Sequence, residues 1–210
     1  MTTPDDAPRL IYVGDPMCSW CWGFAPVLEQ IRDSVDVPFE IVLGGLRPGP
    51  AATEVDDTMR RFLSHHWDQV EQATGQPFDH SSLERKGFVY DTEPPSVAVV
   101  AMRELEPQKA LPYFVRLQHA FYADGKDLGD AETLAIAAKD LVDLSAFLEL
   151  LASPTTRRST WEDFNRARQM GISGFPTLVG TSADGLEVLS PGYLPYDRLA
   201  PAIDDWLGRS

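Results

Sequence analysis

The two cysteines of this 210-residue chain stand three positions apart, in Asp15-Pro16-Met17-Cys18-Ser19-Trp20-Cys21-Trp22. Scattered at random, two cysteines in such a chain would fall at i and i+3 only about once in a hundred times. On a helix that spacing sets two thiols one turn apart, where they can close into a disulfide and reopen. A closed zinc site needs four ligands and this pair supplies two, so the motif reads as redox chemistry. A chain of this length can bury a full core without covalent staples, and two cysteines do not make a disulfide-rich scaffold.

Charge narrows the partners. Eighteen Lys and Arg against 32 Asp and Glu give a formal charge of −14. No dense basic stripe offsets that balance, which argues against binding a nucleic-acid backbone. The first residues, Met1-Thr2-Thr3-Pro4-Asp5-Asp6, are acidic and lack the basic and apolar regions of a signal peptide, and no apolar run approaches a membrane span. The expectation is a cytoplasmic, reducing location, without a membrane or nucleic-acid partner.

Hydrophobic patterning orders the elements. Arg9–Val13 and Pro38–Leu43 are short apolar runs closed by glycines, and between them Trp22, Ala25, Leu28 and Ile31 recur at three-residue steps. This predicts strand, helix, strand, with Pro26 inside the helix. From Thr53 to Leu151 helical patterns dominate: Thr53–Thr74, Pro94–Leu105, Leu111–Tyr122, Asp130–Leu141 and Leu144–Leu151. A further helix is predicted to begin near Ser159 and end at Gly171, followed by strands at Pro176–Val179 and Leu186–Leu189 and a last helix over Tyr196–Leu207.

A strand feeding a Cys-x-x-Cys at a helix start, with a β-β-α ending, resembles the thioredoxin fold. Gly171-Ile172-Ser173-Gly174-Phe175-Pro176-Thr177 resembles the loop that holds a cis-proline opposite the dithiol in that fold. The long stretch between Cys21 and Pro176 exceeds a minimal thioredoxin unit and is similar to the helical insertion of DsbA-like proteins. Within that group, the segment around the dithiol and Tyr90-Asp91-Thr92-Glu93-Pro94 look most like the cytoplasmic FrnE-type branch. The resemblance implies an α/β, thioredoxin-like fold with an inserted all-helical domain: residues 1–50 and 155–210 form the split thioredoxin-like unit and 51–154 the insertion. Two departures stand out. The dipeptide Ser19-Trp20 lacks the histidine of strongly oxidising relatives, and Tyr12 stands where many relatives carry a buried acid. An intermediate reduction potential is therefore expected.

The chemistry assigns roles. A helix N-terminus offers unpaired N–H groups and the positive end of the helix dipole, which favour a thiolate. Cys18 is the expected nucleophile and Cys21 the more buried resolving thiol. Pro176 is expected to face the sulfurs in cis. The backbone of Phe175 can pair with an extended substrate. Phe175, Ser19, Trp20, Trp22 and Asp15 are the expected substrate-binding residues, although Trp22 also fits the core pattern and Asp15 before Pro16 also fits a turn. The four histidines show no metal-ligand spacing, and no metal or cofactor is expected. The function expected is thiol–disulfide exchange, with isomerisation included, on protein or low-molecular-weight disulfides, coupled to a cellular thiol reductant or oxidant. The alternatives are a glutathione-type transferase or isomerase, similar to the kappa-class and chromene-carboxylate enzymes, and a polypeptide-binding chaperone module.

Overall fold

A computed structural model describes residues 7–209; the acidic Met1–Asp6 stretch lies outside the described residues. A four-stranded sheet is built from β1 (Arg9–Gly14), β2 (Phe39–Leu43), β5 (Thr177–Ser182) and β6 (Gly185–Ser190), in the order β2-β1-β5-β6. β1 runs parallel to β2 and antiparallel to β5, and β6 returns antiparallel to β5. A parallel pair needs a crossover, and α1 (Ser19–Ser34) supplies it.

Side chains alternate across β1, so the sheet carries two apolar faces. Leu10 and Tyr12 join the larger core, whereas Ile11 and Val13 pack with Val42, Ala167, Ile172 and Val179 on the other face. α8 (Tyr196–Arg209) contacts α1 and delivers Trp206 onto the sheet. A Cβ at Gly180 would fall 2.3 Å from the Trp206 ring, so only glycine in β5 leaves room for that indole.

Between the halves of the sheet lie α2 (Asp57–Thr74), α3 (Glu93–Leu105), α4 (Ala110–Tyr122), α5 (Ala131–Ala138), α6 (Leu144–Leu151) and α7 (Pro154–Gln169). Rings from α2, α4 and the loops between them interlock: Trp67, Phe78, Phe88, Tyr90, Phe121 and Tyr122 meet at centroid distances of 4.8–6.1 Å. Such pairs add about 0.5–1.5 kcal/mol each beyond the area they bury. No helix among the described residues is long and apolar enough to cross a membrane.

Several predicted boundaries move, each for a local reason. α2 starts at Asp57 because Asp56 caps it, its carboxylate accepting from Met59 N at 2.7 Å. Thr53–Glu54 instead forms β3, paired with β4 (Val89–Tyr90). α7 begins earlier than expected, because Ser153 accepts from Thr155 N at 3.2 Å and Pro154 occupies the first turn. α5 stops at Ala138, short of the predicted Leu141, and Asp140 turns the chain at φ 67°.

One side-chain clamp fastens the sheet edge to the helices. β2 is an edge strand, which would leave backbone groups of Ile41 and Leu43 open. Asp163 of α7 accepts from Leu43 N at 3.0 Å, and Arg103 of α3 donates to Ile41 O at 2.8 Å. Arg103 and Asp163 also pair bidentately, at 2.8 and 3.0 Å.

Candidate active site

The β1–β5 register decides where the dithiol sits. Val13 lies opposite Thr177, so the turn leaving β1 runs beside the loop entering β5. Cys18 occupies the N-cap of α1, with φ −89° and ψ 117°, and its side chain caps no backbone N–H. The first turn of α1 carries no acidic residue, so nothing there competes for the positive end of the helix dipole. Across the gap the Phe175–Pro176 peptide bond is cis, and the Cys18 Sγ lies 3.6 Å from the Phe175 carbonyl oxygen, to which the thiol can donate. Gly44 makes this approach possible: a Cβ there would fall 2.1 Å from the Phe175 ring.

The two thiols are unbonded and differ in access. Cys18 retains 8% exposure and Cys21 none. Burial, reinforced by the neighbouring Cys18, pushes the Cys21 thiol well above its ordinary pKa, and the Tyr12 hydroxyl beside it pulls slightly the other way. Tyr12 is itself raised, chiefly by burial. Among the described residues its hydroxyl has no oxygen or nitrogen partner, and it faces Cys21. A thiol held protonated waits as a proton-bearing second group rather than as the first nucleophile.

Asp15 is fully buried and ties two loops together. One carboxylate oxygen accepts from Met17 N at 2.9 Å, the other from Leu46 N at 2.8 Å. Burial pushes its pKa up to about 6, against the pull of the Leu46 and Met17 amides and the Thr92 hydroxyl. The loop after Leu46 is fastened further by the Tyr90-Asp91-Thr92 segment. Arg47 N donates to Thr92 Oγ1 at 3.1 Å, Thr92 N donates to Arg47 O at 3.2 Å, and Gly49 N donates to Asp91 Oδ1 at 2.8 Å. The Tyr90 hydroxyl donates to Met17 O, beside the nucleophile.

The Asp15→Asn variant tests this tie. A carboxyl whose pKa rises on folding binds its proton more tightly in the native state, so its contribution is unfavourable above that pKa. The native protein should lose about 3 kcal/mol of this group's contribution as pH rises from about 4 to about 6. In the variant that loss is absent, while an amide N–H now faces Leu46 N or Met17 N and costs about 1–3 kcal/mol. Urea unfolding from pH 4 to 7 should therefore show the gap between the two proteins narrowing as pH rises. A constant gap would contradict the assignment.

A cleft of about 240 Å³ opens in front of Cys18. Ser19, Trp20 and Phe175 line it, together with Leu46, Arg47, Phe62, His66, Tyr90, Ser173 and Gly174. Trp20 packs between His66 and Tyr193, at ring distances of 6.0 and 5.6 Å. Phe62 stacks on His66 one helical turn away and is 62% exposed. Burial lowers the His66 pKa, so this ring is neutral at pH 7. Pro176 is buried behind Phe175.

Two expected substrate contacts lie elsewhere. Trp22 is buried against the helical insertion, donating to Pro77 O at 3.0 Å and stacking on Tyr122 at 6.4 Å. Asp15, at 0% exposure, holds the loops from behind. The sequence reading missed Arg47, Phe62 and His66. The i, i+4 pairing of Phe62 and His66 was the one local sign that their side of α2 carries something.

Comparison with known proteins agrees with this geometry. The family model described as Thioredoxin matches residues 11–197. A candidate protein disulfide isomerase from Nitrosomonas europaea is 38% identical, with a TM-score of 0.88 over 96% of this chain and 98% of that one. The cytosolic disulfide reductase DsbM from Pseudomonas aeruginosa is 25% identical, with a TM-score of 0.82 over 96% of this chain and 100% of that one, and has also been solved with GSH. Among curated proteins, the ClpXP adapter protein SpxH of Halalkalibacterium halodurans is 22% identical over 92% of this chain. The match spans 66% of that relative's length. With a family model covering most of its length and neighbours of the DsbA type, this chain belongs to the thioredoxin family, in its DsbA-like form.

Proposed function

We propose that this protein is a thiol–disulfide oxidoreductase acting through Cys18 and Cys21. The observation that carries the reading is the asymmetry of the dithiol: one thiol at a helix N-cap opening to a cleft, the other fully buried one turn behind. Cys18 attacks a substrate disulfide, forming a mixed disulfide and releasing one substrate thiol. Cys21 then attacks Cys18, releasing the second thiol and leaving the protein oxidised; a cellular thiol restores the dithiol. Pro176 lends the site no N–H donor, and the Phe175 carbonyl is available to an extended substrate backbone.

The reading treats residues 1–50 and 155–210 as the catalytic unit and 51–154 as a helical cover that shapes the cleft. Reduction rather than oxidation in a cytoplasmic setting is supported by the likeness to DsbM, and a small thiol as co-substrate by that protein's structure with GSH. A second reading, polypeptide docking, is supported by the likeness to SpxH and by exposed Phe62 at the cleft and Val89 on β4.

The test is dithiothreitol-driven reduction of 2-hydroxyethyl disulfide and of insulin with catalytic amounts of protein. Acceleration of either supports the oxidoreductase reading. Acceleration of neither, with insulin chains retained by the protein even after both cysteines become serine, would replace it with docking.

A further inference from the structure

The cleft before Cys18 has an unusual charge for this molecule. In a chain of net charge −14, none of its lining residues is Asp, Glu or Lys. The lining groups able to bear positive charge are Arg47 and His66, and burial keeps His66 neutral at pH 7. Arg47 is half-buried, and its guanidinium pairs with no carboxylate among the described residues, in contrast to Arg103, Arg157 and Arg166, each of which meets one. Tyr90 lines the same cleft, its hydroxyl anchored beside the nucleophile on Met17 O.

The backbone under Arg47 is fixed as firmly as the nucleophile. Asp15 bonds Met17 N on the Cys18 side and Leu46 N on the Arg47 side. Thr92 bonds Arg47 at both its N and its O. A cation carried on a fixed backbone, lining the same cleft as the attacking sulfur and with no carboxylate partner among the described residues, is arranged for an external anion.

We propose that Arg47 is a specificity-determining residue that binds a carboxylate close to the scissile disulfide of the substrate, so the preferred substrates are disulfides of acidic thiols. The proposal rests on the oxidoreductase reading. In the exchange itself, the Cys18 thiolate breaks the substrate S–S bond and releases one thiolate, which takes up a proton. Cys21, losing its proton, then closes the protein disulfide and frees the second thiol. Two electrons pass from the protein dithiol to the substrate, and Arg47 only holds the acid in place.

Three small disulfides of similar size separate the outcomes: dianionic 3,3′-dithiodipropionate, neutral 2-hydroxyethyl disulfide and dicationic cystamine. Second-order rate constants for oxidation of the reduced protein are measured with each, for the native protein, Arg47→Met and Arg47→Lys. Intrinsic reactivity differs among the three, so the quantity read is the change in the anionic-to-cationic rate ratio between proteins. Arg47→Met should lower that ratio about tenfold or more, the size of one charge pair at a part-solvated site for each reagent. Arg47→Lys should recover most of it, and raising the salt concentration should shrink the difference between the native and Arg47→Met ratios. An unchanged ratio in Arg47→Met, or a difference between the native and Arg47→Met ratios that does not shrink with salt, would overturn the role of Arg47. Failure of the native protein to react with all three would overturn the oxidoreductase reading instead, and the proposal with it.

Discussion

Cys18→Ser should reduce disulfide turnover to the uncatalysed level, whereas Cys21→Ser should leave a protein that reacts once and stalls. The asymmetry follows from access and protonation. Cys18 sits at the mouth of the cleft with a helix N-terminus behind it, so its sulfur is the one that meets substrate. Serine offers no comparable nucleophile at neutral pH. Cys21 is fully buried, and desolvation keeps its thiol protonated, so it acts only on a disulfide already formed at Cys18. Intact-mass analysis after incubation with 2-hydroxyethyl disulfide distinguishes the two: the Cys21→Ser protein carries one adduct, on Cys18, and the Cys18→Ser protein carries none. Adduct on Cys21 in the Cys18→Ser protein would reverse the assignment.

The second large effect concerns stability. Asp163→Ala removes a carboxylate that is 9% exposed, leaving the Arg103 guanidinium, 23% exposed, without its partner and Leu43 N without an acceptor. Breaking one side of a buried pair costs about 3–5 kcal/mol, because the remaining charge stays desolvated. Because the clamp joins β2, α3 and α7, the loss should appear as a lower urea midpoint for the whole protein. The double variant Arg103→Met/Asp163→Leu should be more stable than Asp163→Ala, since it leaves no buried charge behind. A single variant less than about 1 kcal/mol below the native protein would mean that water replaces the carboxylate at little cost.

How much of this could be read from the sequence depended on how local the signal was. The dithiol and the Gly174-Phe175-Pro176 loop are short motifs, and the strand–helix–strand periods around them are local too. Placing them in the fold needed nothing beyond a few neighbouring residues. The cleft is different. Phe62 and His66 reach it from α2, Arg47 from the loop after β2 and Ser173 from the loop before β5, and no period in the sequence joins those segments. The Tyr90-Asp91-Thr92 motif was visible as a resemblance, but its work, fastening the Arg47 loop, emerges only from hydrogen bonds across more than forty residues of sequence. Trp22 carried an ambiguous signal, since an aromatic beside a dithiol suits both a substrate rim and a core. Its bond to Pro77 O decides for the core.

The most direct test of the central claim is equilibration of the protein with glutathione buffers of graded poise, reading the Cys18–Cys21 state by alkylation and mass. The dithiol should show a single reversible two-electron transition, at a potential between about −270 and about −120 mV, the thioredoxin and DsbA values. If no intramolecular disulfide forms at any poise, Cys18 and Cys21 are not a redox pair, and the oxidoreductase account fails.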